Sequence, residues 1–141
     1  MLSSVTVSAN VAEWYGGAVG LVGQSTASLL STVVQSNRAS HSGGALFLTD
    51  QSSANVQSCD FLQNQATQSG GCFSLHDMSS VIASGSSFNQ SFADIGAVCD
   101  LHDDASFELR EGVAAQNEAG QLGGVLYAAT NTTNIALQYV A

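Results

Sequence analysis

The chain contains no proline and no lysine, and both absences narrow what it can be before any motif is read. Without lysine, the cations besides histidine are Arg38 and Arg110, set against eleven acidic residues. Phosphate binding needs clustered Lys or Arg, so this balance argues against nucleic acid as a partner. Without proline, and with 14 glycines among abundant Ser, Asn, Gln and Thr, the composition suits stacked turns and outward strand faces rather than flexible linkers. No long uninterrupted apolar run occurs, which excludes insertion into a membrane as an apolar helix. Cysteine is scarce, and neither Cys-x-x-Cys nor a Cys/His metal spacing involves Cys59, Cys72 or Cys99. The apolar fraction of 45% is too high for a chain disordered by composition, while the net charge of −9 favours solubility and cations.

What the chain does have is a period. Asn10, Asn37, Asn64, Ser91 and Asn117 follow one another at steps of 27, 27, 27 and 26 residues. Around each slot stands an apolar residue three places before, an alanine two places after, and a glycine pair soon beyond, as in Val34, Asn37, Ala39, Gly43 and Gly44. In the fourth copy the second glycine is Ala97 and one residue is missing from the turn. A period this short means a solenoid in which each coil touches only its neighbours.

Each unit holds three short segments of period-two alternation, the mark of strands with one buried face, so the expected fold is an all-β parallel β-helix of five coils with three strands per coil. After the glycine pair the inward residues are Val19 and Leu21, Leu46 and Leu48, Phe73 and Leu75, Cys99 and Leu101, then Leu126 and Ala128. Ala18, Gly20, Ala45, Phe47, Cys72, Ser74, Val98, Asp100, Val125 and Tyr127 are then expected outside, as a flat face of small residues with Phe47 and Tyr127 as exposed aromatics for a partner or a sugar. Cys59 and Cys99 are expected inside and Cys72 outside, with no pairing. Asn10, Asn37, Asn64, Ser91 and Asn117 form a structural ladder: asparagine tolerates the left-handed conformation of a tight bend, and its amide can bond along the stack.

The phrase Phe61-x-x-Asn64-x-Ala66 followed by Gly70-Gly71, together with Gly16-Gly17-Ala18-Val19 and Gly43-Gly44-Ala45-Leu46, resembles the repeats in passenger domains of polymorphic outer-membrane autotransporters. It is similar also to repeats in large surface or secreted β-helix proteins of protists and algae. The resemblance covers almost the whole chain and implies a right-handed parallel β-helix, at a cell surface or extracellular, serving adhesion or scaffolding. It carries over no catalytic residue, because the motif residues are the structural ones. Ser91 for Asn, Ala97 for Gly and Ala114 for the aromatic depart from the pattern and imply irregularity in coils four and five.

Chemistry concentrates on one outward stripe. Asp50, Asp77 and Asp103 share a coil position, preceded by Thr49, His76 and His102, with Asp100 and Asp104 close by. Stacked carboxylates repel unless protonated or bridged, which makes Asp77, Asp103 and Asp104 candidate Ca²⁺ ligands. The competing readings are a solvated turn whose Asp side chains cap backbone amides, and a zinc-type site through His76 and His102. Asn89-Gln90-Ser91 and Asn131-Thr132-Thr133 match the N-glycosylation acceptor pattern, at Asn89 and Asn131. Trp14 and Tyr15, in the first turn, are expected to cover the rod's end or meet another chain.

These features lead to one single β-helix segment over 1–141, part of a longer solenoid, because no residues remain for caps and bare ends expose strand edges. Its expected role is non-enzymatic: a structural or adhesion module that stacks end to end on itself or on neighbouring chains, or presents a binding face to glycans. The enzyme alternative is a polysaccharide hydrolase or lyase of the pectin-lyase-like type. Asp77, Asp100, Asp103 and Asp104 would supply its carboxylates, while a lyase base is limited to Arg38 and Arg110 on different coil faces.

Overall fold

Alternating runs broken by Gly, Ser, Gln and Asn cannot bury a face alone, and they do so here by stacking on copies of themselves. The computed structural model describes residues 1–129 and 134–138, and it is all β, with no helix among the described residues. Among the described residues, twenty-one short strands form four parallel sheets, one of six strands and three of five. Within each sheet every strand pairs with the strands one coil before and after it, so the fold is a parallel β-solenoid of about five turns. Asn131 and its sequon lie outside the described residues.

The second coil shows the plan. Thr26–Leu30 belongs to sheet I, Val33–Gln35 to sheet II, Arg38–Ala39 to sheet III and Leu46–Leu48 to sheet IV. Four strands per coil replace the expected three. The additional ladder runs through Val11–Ala12, Arg38–Ala39 and Gln65–Ala66, directly after each asparagine. A two-residue strand has no alternation to read, which is why sheet III is invisible in the hydrophobic pattern.

Each bend between sheets contains a residue with positive φ, at positions that recur from coil to coil. The series are Ser4, Ser31, Ser58, Gly85 and Glu111; Ala9, Ser36, Gln63, Gln90 and Gln116; Gly16, Gly43, Gly70, Gly96 and Gly123; and Gly23, Asp50, Asp77 and Asp103. The left-handed conformation costs a non-glycine residue about 1–2 kcal/mol. What repays it is visible in the backbone. The N–H of Ser31 reaches Gln57 O, that of Ser36 reaches Leu62 O, that of Gly43 reaches Ser69 O, and that of Gln51, beside Asp50, reaches Asp77 O, all at 2.9–3.0 Å. The turned residue therefore extends the inter-coil ladder around the corner instead of interrupting it.

The asparagines are not themselves the left-handed residues; the residue before each one is. Their amides instead tie coils together. Asn64 Oδ1 accepts from both the backbone N–H and the Nδ2 of Asn37, each at 3.1 Å, while Asn64 Nδ2 donates to Val34 O at 2.8 Å. Asn37 does the same for Asn10 and Val7. At the fourth slot, Ser91 N–H still reaches Asn117 Oδ1 at 3.0 Å, but the shorter Ser91 hydroxyl bonds Cys72 Sγ, also at 3.0 Å.

Cys72 consequently points inward, not outward, and is fully buried, as are Ala45 and Val98 at the equivalent place. The reason is a doubled step at the start of sheet IV. Ala45 O accepts from the consecutive N–H groups of Ala18 and Val19, and Cys72 O from those of Ala45 and Leu46. Two successive side chains then face the core, which breaks strict alternation. All three cysteines are buried and free, and burial pushes the Cys72 thiol up to about 12, far from a reactive thiolate at neutral pH.

The column these sheets enclose is filled in its centre by Phe61, Phe73, Phe88 and Phe107, with ring centroids 5.0–5.8 Å apart. In the fourth coil the missing residue is absorbed in sheet III, where the register shifts between Ala93 and Ile95.

Two glycine substitutions separate the roles of conformation and space. At Gly85, with φ of 55°, an added Cβ finds Ser58 Oγ as its nearest neighbour at 3.7 Å. Gly85→Ala is expected to cost only the left-handed penalty of about 1 kcal/mol. At Gly43, with φ of 68°, the Cβ would overlap the Leu46 carbonyl, so Gly43→Ala is expected to cost about 3 kcal/mol or more. Urea unfolding midpoints of the two variants test the contrast; equal losses would refute it. Asn64→Ala leaves the Asn37 N–H and Val34 O unpaired in the buried column, and about 2–3 kcal/mol of destabilisation is expected in the same measurement.

Candidate functional site

Outward positions of sheet IV stack by register, so that Gly20, Phe47, Ser74, Asp100 and Tyr127 lie in one line from coil to coil. Beside that line, the corner before the glycine pair brings Tyr15, Ser42, Ser69 and Ile95 together as a second row, paired bridge by bridge. On the other side Thr49, His76 and His102 lead into tight turns, closed by Ser52 N–H to Thr49 O, Ser79 N–H to His76 O and Ala105 N–H to His102 O. The face expected to be flat is thus a groove. It has a volume of about 410 Å³ and is lined by residues that include Tyr15, Ser42, Ser69, Phe47, His76 and His102.

Rings run along the groove through the whole stack. Trp14 stacks on His41 at 4.7 Å, Tyr15 on Phe47 at 4.5 Å, and His76 on His102 at 4.8 Å with planes only 6° apart. Tilted contacts join these pairs: Tyr15 to His41, Phe47 to His76, and His102 to Tyr127. Phe47 and Tyr127 therefore belong to one line, connected through the two histidines. Trp14 and Tyr15, 56% and 50% exposed, continue that line along the side of the rod.

Polar groups alternate with the rings. Ser42 and Ser69 share a hydroxyl–hydroxyl bond of 3.0 Å, and Thr49 Oγ1 donates to Asp77 Oδ2 at 2.7 Å. Ser74 Oγ meets His76 Nε2 at 3.0 Å, and His102 Nε2 meets Asp100 Oδ2 at 3.0 Å. Asp100 has no exposed surface, and its Oδ1 has no hydrogen-bond partner. Burial, reinforced by the positive charge His102 can carry, holds His76 below the ordinary imidazole range, although Asp100, Asp77 and Asp103 pull the other way.

The acidic stripe stands on the turns that leave sheet IV. Asp50, Asp77, Asp103 and Asp104 all have positive φ and occupy two-residue turns, with Asp77 and Asp103 exposed. Among the described residues no group of three or more His, Cys, Asp or Glu side chains stands together as a metal site. The parallel rings of His76 and His102 each direct Nε2 to a different partner, Ser74 Oγ and Asp100 Oδ2. Asn89 is half-buried on sheet II, and the hydroxyl of Ser91, the third residue of its sequon, bonds Cys72 Sγ.

A larger hollow of about 560 Å³ lies over sheet I, floored by Ser28, Asn55 and Ile82, and no acidic, basic or aromatic side chain lines it. The chemistry lies over sheet IV. Its corner row, Tyr15, Ser42 and Ser69, is absent from the pattern of alternation; its signal is the 27-residue offset in a segment without apolar rhythm.

The His76 environment sets a pH dependence. Its folded pKa is lowered, so unfolded His76 takes up a proton first, near the ordinary value of about 6.5. Stability is therefore retained above that value and lost as pH falls below it, until the folded residue also protonates. Urea unfolding at pH 7.5 and 5.5 should show this loss, and His76→Asn should reduce the difference; an unchanged difference in the variant would contradict the assignment.

No protein-family model, no curated protein and no solved structure matches the chain.

Proposed function

We propose that the chain is a non-enzymatic binding module of an extracellular or cell-surface solenoid, and that its lateral groove holds an extended glycan. One observation carries the reading: rings and hydroxyl-bearing side chains line a single groove spanning successive coils. A saccharide combines apolar C–H faces with many hydroxyls, and sites for such ligands pair aromatic surface with a few placed donors and acceptors. Ser42, Ser69, Thr49, His76 and Asp77 supply the polar part, while Tyr15 and Phe47 supply the apolar part.

The carboxylates support binding over hydrolysis. Asp50, Asp77 and Asp103 stand on a solvated ridge of turns, and Asp100 is sealed beneath His102. A hydrolase needs two carboxyl groups flanking one bond in an open cleft. The repeat resemblance supports the surface location, and exposed apolar residues in register with the buried column, Leu2 and Val5 in the first coil and Ile135 and Leu137 in the last described strand, support stacking of further coils there.

Retardation in gels containing soluble polysaccharides tests the glycan reading. Tyr15→Ala and Phe47→Ala are expected to weaken binding by about tenfold each, equivalent to about 1.4 kcal/mol. Absence of retardation by neutral, basic and acidic polysaccharides alike would sink it.

A further inference from the structure

Histidines apart, the groove carries charge of one sign. No Arg lines it, and the chain has no Lys to offer; Arg110 is held by Glu108 at 2.7 Å on sheet I, and Arg38 lies on sheet III. Asp77 lies on its rim, with one oxygen on Thr49. Beneath it lies Asp100, whose unpartnered Oδ1 is the one buried side-chain N or O atom without a hydrogen bond among the described residues. A buried acceptor left unpaired keeps its full desolvation cost. Of the two histidines lining the groove, His76 is held below the ordinary imidazole range by burial, and His102 turns its Nε2 to Asp100 Oδ2 at 3.0 Å.

From this arrangement we infer that the groove selects glycans bearing protonated amino groups, amino-sugar polymers, over uronic acids. The inference rests on the glycan reading above and names the ligand class within it. An ammonium group over Asp77 gains a partner there, and the rings of Tyr15 and Phe47 add cation–π attraction. A uronate carboxylate meets Asp77 and neither Lys nor Arg. A basic peptide fits less well: along the sides of the stack backbone N–H and C=O groups are consumed by the neighbouring coils, so the groove has no free strand edge for a peptide to join.

Titration calorimetry on the intact chain at low salt tests this with three oligomers of equal length: glucosamine, N-acetylglucosamine and galacturonate. Glucosamine oligomers are expected to bind about tenfold tighter than the acetylated form, with no detectable binding of galacturonate. Asp77→Asn should narrow the preference by about threefold. Asp60→Asn removes the same charge from sheet II, where Asp60 accepts from Ser87, and should leave the preference unchanged. Equal or tighter binding of the acetylated oligomer would overturn the amino-group selection while leaving the glycan reading intact; failure of all three oligomers would remove both. Binding of galacturonate would overturn the selection outright. So would oligolysine binding as tight as glucosamine and indifferent to Phe47→Ala, since the groove would then be a charged surface only.

Discussion

The fold depends on one constraint: every backbone N–H and C=O along the side of the rod must find its partner in the next coil, including at the corners. A straight strand does this by default, but a bend ordinarily breaks the ladder. Here the bend is made by a residue in the left-handed conformation whose N–H still reaches the neighbouring coil, as Ser31 reaches Gln57 O and Gly43 reaches Ser69 O. The penalty for Ser, Gln, Ala and Asp at such φ is real. It is offset because a corner residue in any other conformation would leave a ladder bond unmade, and the same bond recurs in every coil. Sequence period and backbone geometry are two expressions of this requirement.

The buried polar column follows from the same logic. Asn37 and Asn64 sit where the turn of the preceding coil leaves an N–H and a carbonyl to be met from the next coil, and one amide side chain satisfies both. Ser91 is too short to span that gap, and Cys72, turned inward by the doubled step at the start of sheet IV, accompanies it. The two departures from the repeat thus compensate each other locally. Beside them, Phe61, Phe73 and Phe88 close the column with apolar contact that needs no such matching.

Much of this was legible in the residues. The period, the parallel stack and the inward rows through Leu46, Leu48, Phe73 and Leu75 follow from spacing and alternation, because burial selects for both. Sheet III was hidden since two residues such as Arg38 and Ala39 carry no period. The orientation of Cys72 was misread because a shared carbonyl places two neighbours on one face, a backbone event without a compositional trace. At the candidate site, Phe47, Tyr127, His76 and His102 were found as outward residues, but their common line was not. It arises only when the corner row of Tyr15, Ser42 and Ser69 rises beside sheet IV and turns a face into a groove.

That groove shows how a stacked fold separates structure from recognition. Inward and corner positions are tied to their counterparts one coil away, and Gly43 or Asn64 cannot vary without breaking a neighbour's bond. Outward positions on sheet IV share the backbone ladder, but their side chains are not bound to it, and there Gly20, Phe47, Ser74, Asp100 and Tyr127 differ from coil to coil within one register. A regular scaffold with an irregular line of side chains presents a sequence of distinct subsites at fixed intervals of one strand spacing. Because the intervals come from the backbone ladder, the chemistry of each subsite can change while its position stays fixed, which suits a surface that reads an extended ligand unit by unit.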